Sequence, residues 1–268
     1  MESSTQPKDP QTQSDGLAHT IDTALYFFSK HWLAFFNIGV AIYVFLPMLA
    51  PMLMKAGATG PARVIYTIYS PMCHQMASRS FFLFGEQPVY PRELAGTNYT
   101  SLETYATDLP EFEGIAEENW AQFFLAARRF VGNEQMGYKM ALCERDIAIY
   151  GFVLIFGLIY ALLRHRRQIK PLPILVFIII GMGPIALDGF SQLFGYYATP
   201  IDGSVAEDFR ATISQIFALR ESPPMLRTAT GALFGFMLGW LIYPHIEVGM
   251  NGSERDLARK LGKEIRDK

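Results

Sequence analysis

Cys73, His74, Gln75 and Arg79 interrupt one apolar run of this sequence, Cys143, Arg145 and Asp146 open another, Asp188 and Gln192 sit inside a third, and Arg227 opens a fourth. Each is costly to place in hydrocarbon unless a polar partner or water meets it. His74 and Asp188 could activate water or a headgroup-linked substrate, or with Gln192 form part of a polar path. Arg79, Arg145 and Arg227 could hold the anionic part of a substrate. Asp188 and Gln192 are four positions apart and share a helix face, with Gly181, Gly183 and Pro184 just before them to permit close approach or a bend.

The elements that must position these groups are membrane helices. Half of the 268 residues are hydrophobic (50%) and 14% are aromatic, yet two long stretches are water-loving, so the apolar residues are concentrated elsewhere. Runs at 32–54, 62–84, 147–163, 172–194 and 228–246 each approach the ~20 residues needed to cross a bilayer. The fold class expected is all-α, a polytopic transmembrane helix bundle of about five spans with a large external loop after the second. The second run is the most broken, and a re-entrant helix would show the same pattern.

Basic residues in short loops orient the bundle. Arg164, His165, Arg166, Arg167 and Lys170 follow the third run, and Arg255, Arg259, Lys260, Lys263, Arg266 and Lys268 follow the fifth. Both clusters are expected in the cytoplasm of a multi-pass cell-membrane protein, with the 85–145 loop external. The amino terminus is then external if the second run spans, and internal only if it is re-entrant. In this layout the candidate groups of four helices converge near the outer face.

The chain divides into a polar, disordered tail (1–30), the first two membrane runs (31–84), an external loop (85–145), three spans (146–247) and a basic cytoplasmic tail (248–268). The loop carries scattered Pro and Gly and promises little core. Within it Ile115, Trp120, Phe123, Phe124, Ala127 and Val131 recur at helical spacing with Glu117, Glu118, Arg128 and Arg129 between them, predicting an amphipathic helix on the membrane or over the site. No phosphate-binding glycine loop or nucleophile elbow is present, and nothing points to nucleic acid. The expected partners are membrane lipid and a protein that meets the 86–145 loop.

Cys73-His74-Gln75, Arg79-Ser80-Phe81-Phe82, Cys143-Glu144-Arg145-Asp146 with Ile149-Tyr150-Gly151, Asp188-Gly189 with Gln192, and Arg227 with Thr230-Gly231 occur in that order. The chain thereby resembles, from about Tyr66 to Leu241, the uncharacterised prokaryotic membrane proteins grouped as domain of unknown function 2085, with the external loop as an insertion. The resemblance implies the fold but no activity. Members often read Cys-x-Arg-Cys where this chain reads Cys143-Glu144-Arg145-Asp146, so their set of one His and three Cys becomes here Cys73, His74, Cys143 and Asp146.

Zinc, the candidate cofactor, accepts carboxylate oxygen beside thiolate and imidazole, and positions 143 and 146 lie one helical turn apart. Adjacent Cys73 and His74 diverge on a regular helix, so both could ligate one ion only on a distorted backbone. Two alternatives stand beside a metal. The two cysteines could pair as a disulfide in an oxidising exterior, or the whole cluster could serve helix packing, with Asp188 paired to Arg227 or Arg145. Three functions follow: an accessory or assembly protein of a membrane complex, a metal-dependent membrane enzyme acting on an anionic, lipid-linked or small substrate, or a small transporter. The dry inner halves of the spans weigh against the last.

Overall fold

In the computed structural model, residues 10–115, 119–164, 166–201 and 208–263 are described. Glu117, Glu118, His165, Arg266, Lys268 and the first nine residues of the expected polar tail lie outside that set. Helix α1 (Pro10–Lys55) and the short α2 (Thr59–Tyr69) lead into a segment that the basic-residue rule expects outside, labelled the outer segment for that expectation, containing β1 (Phe82–Leu83), α3 (Leu102–Ala106), α4 (Trp120–Arg129), β2 (Gly132–Asn133) and β3 (Gly137–Lys139). Then follow α5 (Glu144–Leu163), α6 (Ile174–Ala198), α7 (Asp208–Ile216) and α8 (Pro224–Lys260).

The architecture is an all-α polytopic bundle. Among the described residues, α1, α5, α6 and α8 are long and apolar enough to cross a membrane. Their outward faces are apolar, as lipid requires: Ile179, Leu187 and Leu193 of α6 are 62%, 75% and 59% exposed. The count is four, one fewer than the sequence suggests, because the second run stops as a helix at Tyr69. Eleven residues reach about 16 Å, half of the hydrocarbon thickness. Pro71 follows, and the chain continues as turns and a short 3-10 segment at Ala77–Arg79.

Because α2 does not cross, both ends of the described chain lie at one end of the bundle. Lys260 of α8 pairs with Asp22 of α1 at 2.6 Å, and the Lys263 ammonium lies 4.4 Å from the Tyr26 ring centre. One carboxylate, Glu247, ties three helices there: it accepts from the Trp32 indole at 3.1 Å and pairs with Arg164 at 3.1 Å. The region expected as a disordered tail is helical from Pro10 onward.

The closest helix pair is α5 with α8. Gly231, Gly235 and Gly239 form a stripe at four-residue spacing, and a Cβ at Gly235 would collide with the Ile149 carbonyl. Small residues at this spacing let two backbones touch in a membrane, where close packing replaces the hydrophobic drive.

Three prolines inside the spans dock the remaining pieces. A helical proline donates no hydrogen bond to the carbonyl four residues before it. Pro47 thus releases the Tyr43 carbonyl, which accepts the Tyr69 hydroxyl of α2 at 3.0 Å. Pro51 releases the Pro47 carbonyl, which accepts the Ala141 amide at 3.3 Å. In α8, Pro244 releases the Trp240 carbonyl to the Leu172 amide at 3.5 Å. The first two bonds fix the segments that carry Cys73 and Cys143.

The outer segment has a core of its own, contrary to the expectation of a loop with little core. Phe82, Tyr90, Leu102, Phe112, Phe123, Phe130 and Met136 pack together, all at most 6% exposed. A small antiparallel sheet in the order β1-β3-β2 joins its two ends. Helix α4, capped by the Asn119 side chain accepting from the Gln122 amide, turns Phe123, Ala126 and Ala127 into this core. Helical spacing revealed Phe123 on α4, but short elements separated by Pro and Gly supply the other aromatics, so no period revealed those. Lys139 of β3, wholly buried, donates to the carbonyls of Gln75, Ala127 and Arg128, tying the segment to the turn after α2.

Candidate functional site

Cys73, Cys143 and Asp146 meet where α2's trailing turn crosses the start of α5, with ligand atoms all within 4.8 Å of one another. Cys143 caps α5: its sulfur accepts from the Asp146 amide at 3.5 Å and donates to Asp146 Oδ2 at 3.2 Å. The Cys143 amide donates to Cys73 Sγ at 3.3 Å. The two cysteines are unbridged. The Cys73 thiol is shifted down by its hydrogen bond with Cys143, while that same bond and burial push Cys143 well up.

The backbone that presents Cys73 is not helical. Gln75 adopts φ 52°, a left-handed conformation uncommon outside glycine. Its side-chain amide holds it there by donating to the carbonyls of Tyr66 and Ala141, both at 2.9 Å. The distortion that a shared ion would need is therefore present, but it turns Cys73 inward and leaves His74 exposed. His74 lies outside the three-residue group and lines, with Cys73, Ser70 and Arg128, an open cleft of about 290 Å³.

The donor set suits a thiophilic divalent ion. Bonds of ~2.3 Å to sulfur and ~2.0 Å to oxygen put ligand atoms on one ion about 4 Å apart, a small contraction from the present spacing. Three ligands also leave a fourth coordination position.

The other candidates form a separate lattice of charges. Asp188, buried on α6, pairs with Arg145 at 2.5 Å and Arg220 at 2.9 Å and accepts from the Ser222 hydroxyl at 2.6 Å. Gln192 Oε1 lies 3.0 Å from the same hydroxyl and competes with Asp188 for its one hydrogen. Arg79 and Arg227 both pair with Glu221, Arg79 through two bonds at 2.7 and 3.0 Å, and the Tyr196 hydroxyl adds a third donor at 2.6 Å. Burial alone would push the Glu221 carboxyl up, but the two guanidinium groups prevail and hold it at about 2. Glu144, wholly buried, accepts no hydrogen bond, and Arg227 lies 3.9 Å from it.

All three arginines expected to bind an anion are thus engaged by carboxylates of the chain itself. His74 and Asp188, expected to act together, belong to different groupings: His74 lines the cleft beside Cys73, and Asp188 lies within the charge lattice. The residues that sequence reasoning missed are Arg220, Glu221 and Ser222, in the connection between α7 and α8. They dip into the bundle because Gly195 leaves room for the Ala218 carbonyl, which a Cβ there would approach to 2.7 Å. A signal existed: two charges and a serine stand directly before Pro223-Pro224, which open α8.

Residues 134–241 match the family model described as "Predicted membrane protein (DUF2085)". These residues carry Cys143, Asp146, the charge lattice apart from Arg79, and the glycine stripe, so the likeness to that uncharacterised family rests on part of the chain. Cys73 and the turn that presents it lie before the matched segment. The chain is also similar to an uncharacterised protein of Methanocaldococcus jannaschii, 26% identical over 212 residues, which cover 77% of this chain and 87% of that protein. No solved structure matches.

Proposed function

We propose that the protein is a metal-binding accessory protein of a membrane complex, with Cys73, Cys143 and Asp146 as ligands at the outer membrane face. The observation that carries the metal reading is the convergence of two sulfurs and one carboxylate within 4.8 Å. The ligands come from segments 70 residues apart in sequence, so a bound ion would cross-link the outer segment to α5. Zinc, at such a site, supplies either that cross-link or a polarised fourth ligand.

The accessory reading is favoured over a hydrolase or transporter by the charge lattice. Asp188, Arg79, Arg145 and Arg227 are engaged in ion pairs that hold α5, α6, α8 and the outer segment in register. A transport path would have to pass the inner half of the bundle, where Asn37 is buried and hydrogen-bonded to Tyr243 at 2.8 Å amid aromatic packing. The structured outer segment is the surface a partner protein would meet. The basic end, with Arg164, Arg166, Arg167 and Lys260, is assigned to the cytoplasm and the outer segment to the exterior.

A metal-dependent enzyme is the second reading, favoured by the open cleft beside Cys73 that His74 and Arg128 line. Elemental analysis of protein purified without chelators tests the metal, together with free-thiol counting on wild type, Cys143→Ser and Asp146→Ala. One zinc per chain, lost in both variants, is the expected result. No metal with no free thiols identifies a disulfide instead, and no metal with both thiols free leaves only the packing role.

A further inference from the structure

A second feature of the membrane half meets the same site from below. Helices α1, α5 and α8 enclose an open groove of about 450 Å³ on the lipid-facing side of the bundle. Phe28, Trp32 and Gly39 of α1 line its length, Tyr43 and Tyr150 close one end, and Met250 lies toward the other. From Tyr43 to Phe28 the groove follows α1 for fifteen residues, about 22 Å, most of the ~30 Å hydrocarbon core.

Gly39 shows that the groove is kept open. Unlike Gly231, Gly235 and Gly239, it touches no neighbouring helix: a Cβ there would meet nothing within 4 Å. Glycine inside a helix costs about 1 kcal/mol relative to alanine. A side chain there would project into open space, so the glycine adds to the depth of the groove.

The two ends differ in chemistry. At the inner end the walls are Phe28, Ile246 and Met250. At the outer end the Tyr43 and Tyr150 rings stand 4.5 Å apart. Tyr150 is one helical turn past Asp146 on the same face of α5, and Asp146 one turn past Cys143. An amphiphile fits this gradient in one direction only, with its hydrocarbon along α1 and its polar head at the tyrosines, beside the Cys73–Cys143–Asp146 site.

We infer that the groove binds one acyl chain of a membrane phospholipid and presents its headgroup to the candidate metal site. The groove stands on its own geometry, and only the headgroup's meeting with a metal rests on the function proposed above. It names lipid as the molecule that the fourth coordination position would face.

The test uses the whole protein in vesicles of phosphatidylethanolamine and phosphatidylglycerol containing a trace of phosphatidylglycerol with a photoactivatable acyl chain. After photolysis, adducts are mapped by mass spectrometry, and metal is measured on the same preparations. Adducts several-fold denser on the groove residues than on Ile179 and Leu187 of α6 are expected. Gly39→Phe, which fills open space, should abolish that excess while leaving α6 labelling and thermal stability unchanged. Equal labelling of groove and α6, or a groove excess that survives Gly39→Phe, would overturn the inference. Groove labelling in protein that carries no metal when purified without chelators would retain the lipid and remove the metal reading alone.

Discussion

The Tyr69 hydroxyl donates to the Tyr43 carbonyl at 3.0 Å, a carbonyl that is available because Pro47 stands four residues further along α1. Four residues after Tyr69 comes Cys73. The bond sets where α2 ends against α1, and so where the first sulfur of the candidate site is delivered.

Tyr69→Phe removes that bond while keeping the ring that packs on Tyr43 at 5.4 Å. A loss of about 1 kcal/mol in stability is expected, since one neutral hydrogen bond is lost and the carbonyl is left without it. Alkylation of Cys73 should quicken at the same time, because the turn that buries it loses its anchor. Unchanged thiol kinetics would show that the Gln75 bonds alone hold the turn.

Glu221 sits between two guanidinium groups, and removing it leaves both buried without their partner. Glu221→Gln is expected to cost about 3–5 kcal/mol, read as a drop in thermal midpoint in detergent. Combining Glu221→Met with Arg79→Met and Arg227→Met should recover much of that loss, because the desolvation cost goes with the charges.

The same carboxylate gives a pH dependence with a definite sign. Its folded value, about 2, is below the ordinary 4.5, so its contribution is fully present above 4.5 and fades as pH falls from there toward 2. Wild type should therefore lose stability across that window more steeply than Glu221→Gln. Parallel curves for the two would contradict the pairing.

Gly235 lies against the Ile149 carbonyl, so any side chain there must part α5 from α8. Gly235→Leu should prevent the folded bundle from accumulating, and Gly235→Ala should destabilise it by a few kcal/mol, of the order seen on overpacking. Gly249→Ala, in the same helix with nothing within 4 Å of its Cβ, is the control and should be neutral or slightly stabilising.

The placement of both chain ends on one side is checked by cross-linking. With the native cysteines replaced, Asp22→Cys and Lys260→Cys should be joined by a short bifunctional thiol cross-linker, which spans the gap that the longer lysine side chain closes to 2.6 Å. A membrane-impermeant thiol reagent should reach each single variant from the same side of oriented vesicles. Labelling from opposite sides would restore a spanning second run.

The sequence revealed the membrane architecture because hydrocarbon imposes long apolar runs that can be read directly. It marked Cys73, Cys143, Asp146, Asp188 and Arg227 because charge and thiol chemistry stand out in such runs. It did not reveal that Arg79 and Arg227 share Glu221, since that carboxylate lies in a connection whose polarity looks ordinary until Gly195 lets it sink inward. Nor did it separate His74 from Cys73. That depends on one left-handed residue, Gln75, and on two carbonyls 75 positions apart in the chain, those of Tyr66 and Ala141. It overcounted the spans because hydropathy does not register where a helix ends, whereas Pro71 does.

The pairing of α8 with both α1 and α5 also bears on the order in which the chain is made. The Glu247 carboxylate that takes the Trp32 indole and the Arg164 guanidinium is synthesised after both, as are the glycines against which α5 packs. During biogenesis, α1 and α5 can meet through Tyr43 and Tyr150 before α8 is made, and α8 closes the bundle on arrival. Ribosome-bound chains halted before residue 224 should be open to intramembrane proteolysis and chaperone capture, and chains released from the ribosome, with all of α8 free to insert, should be protected.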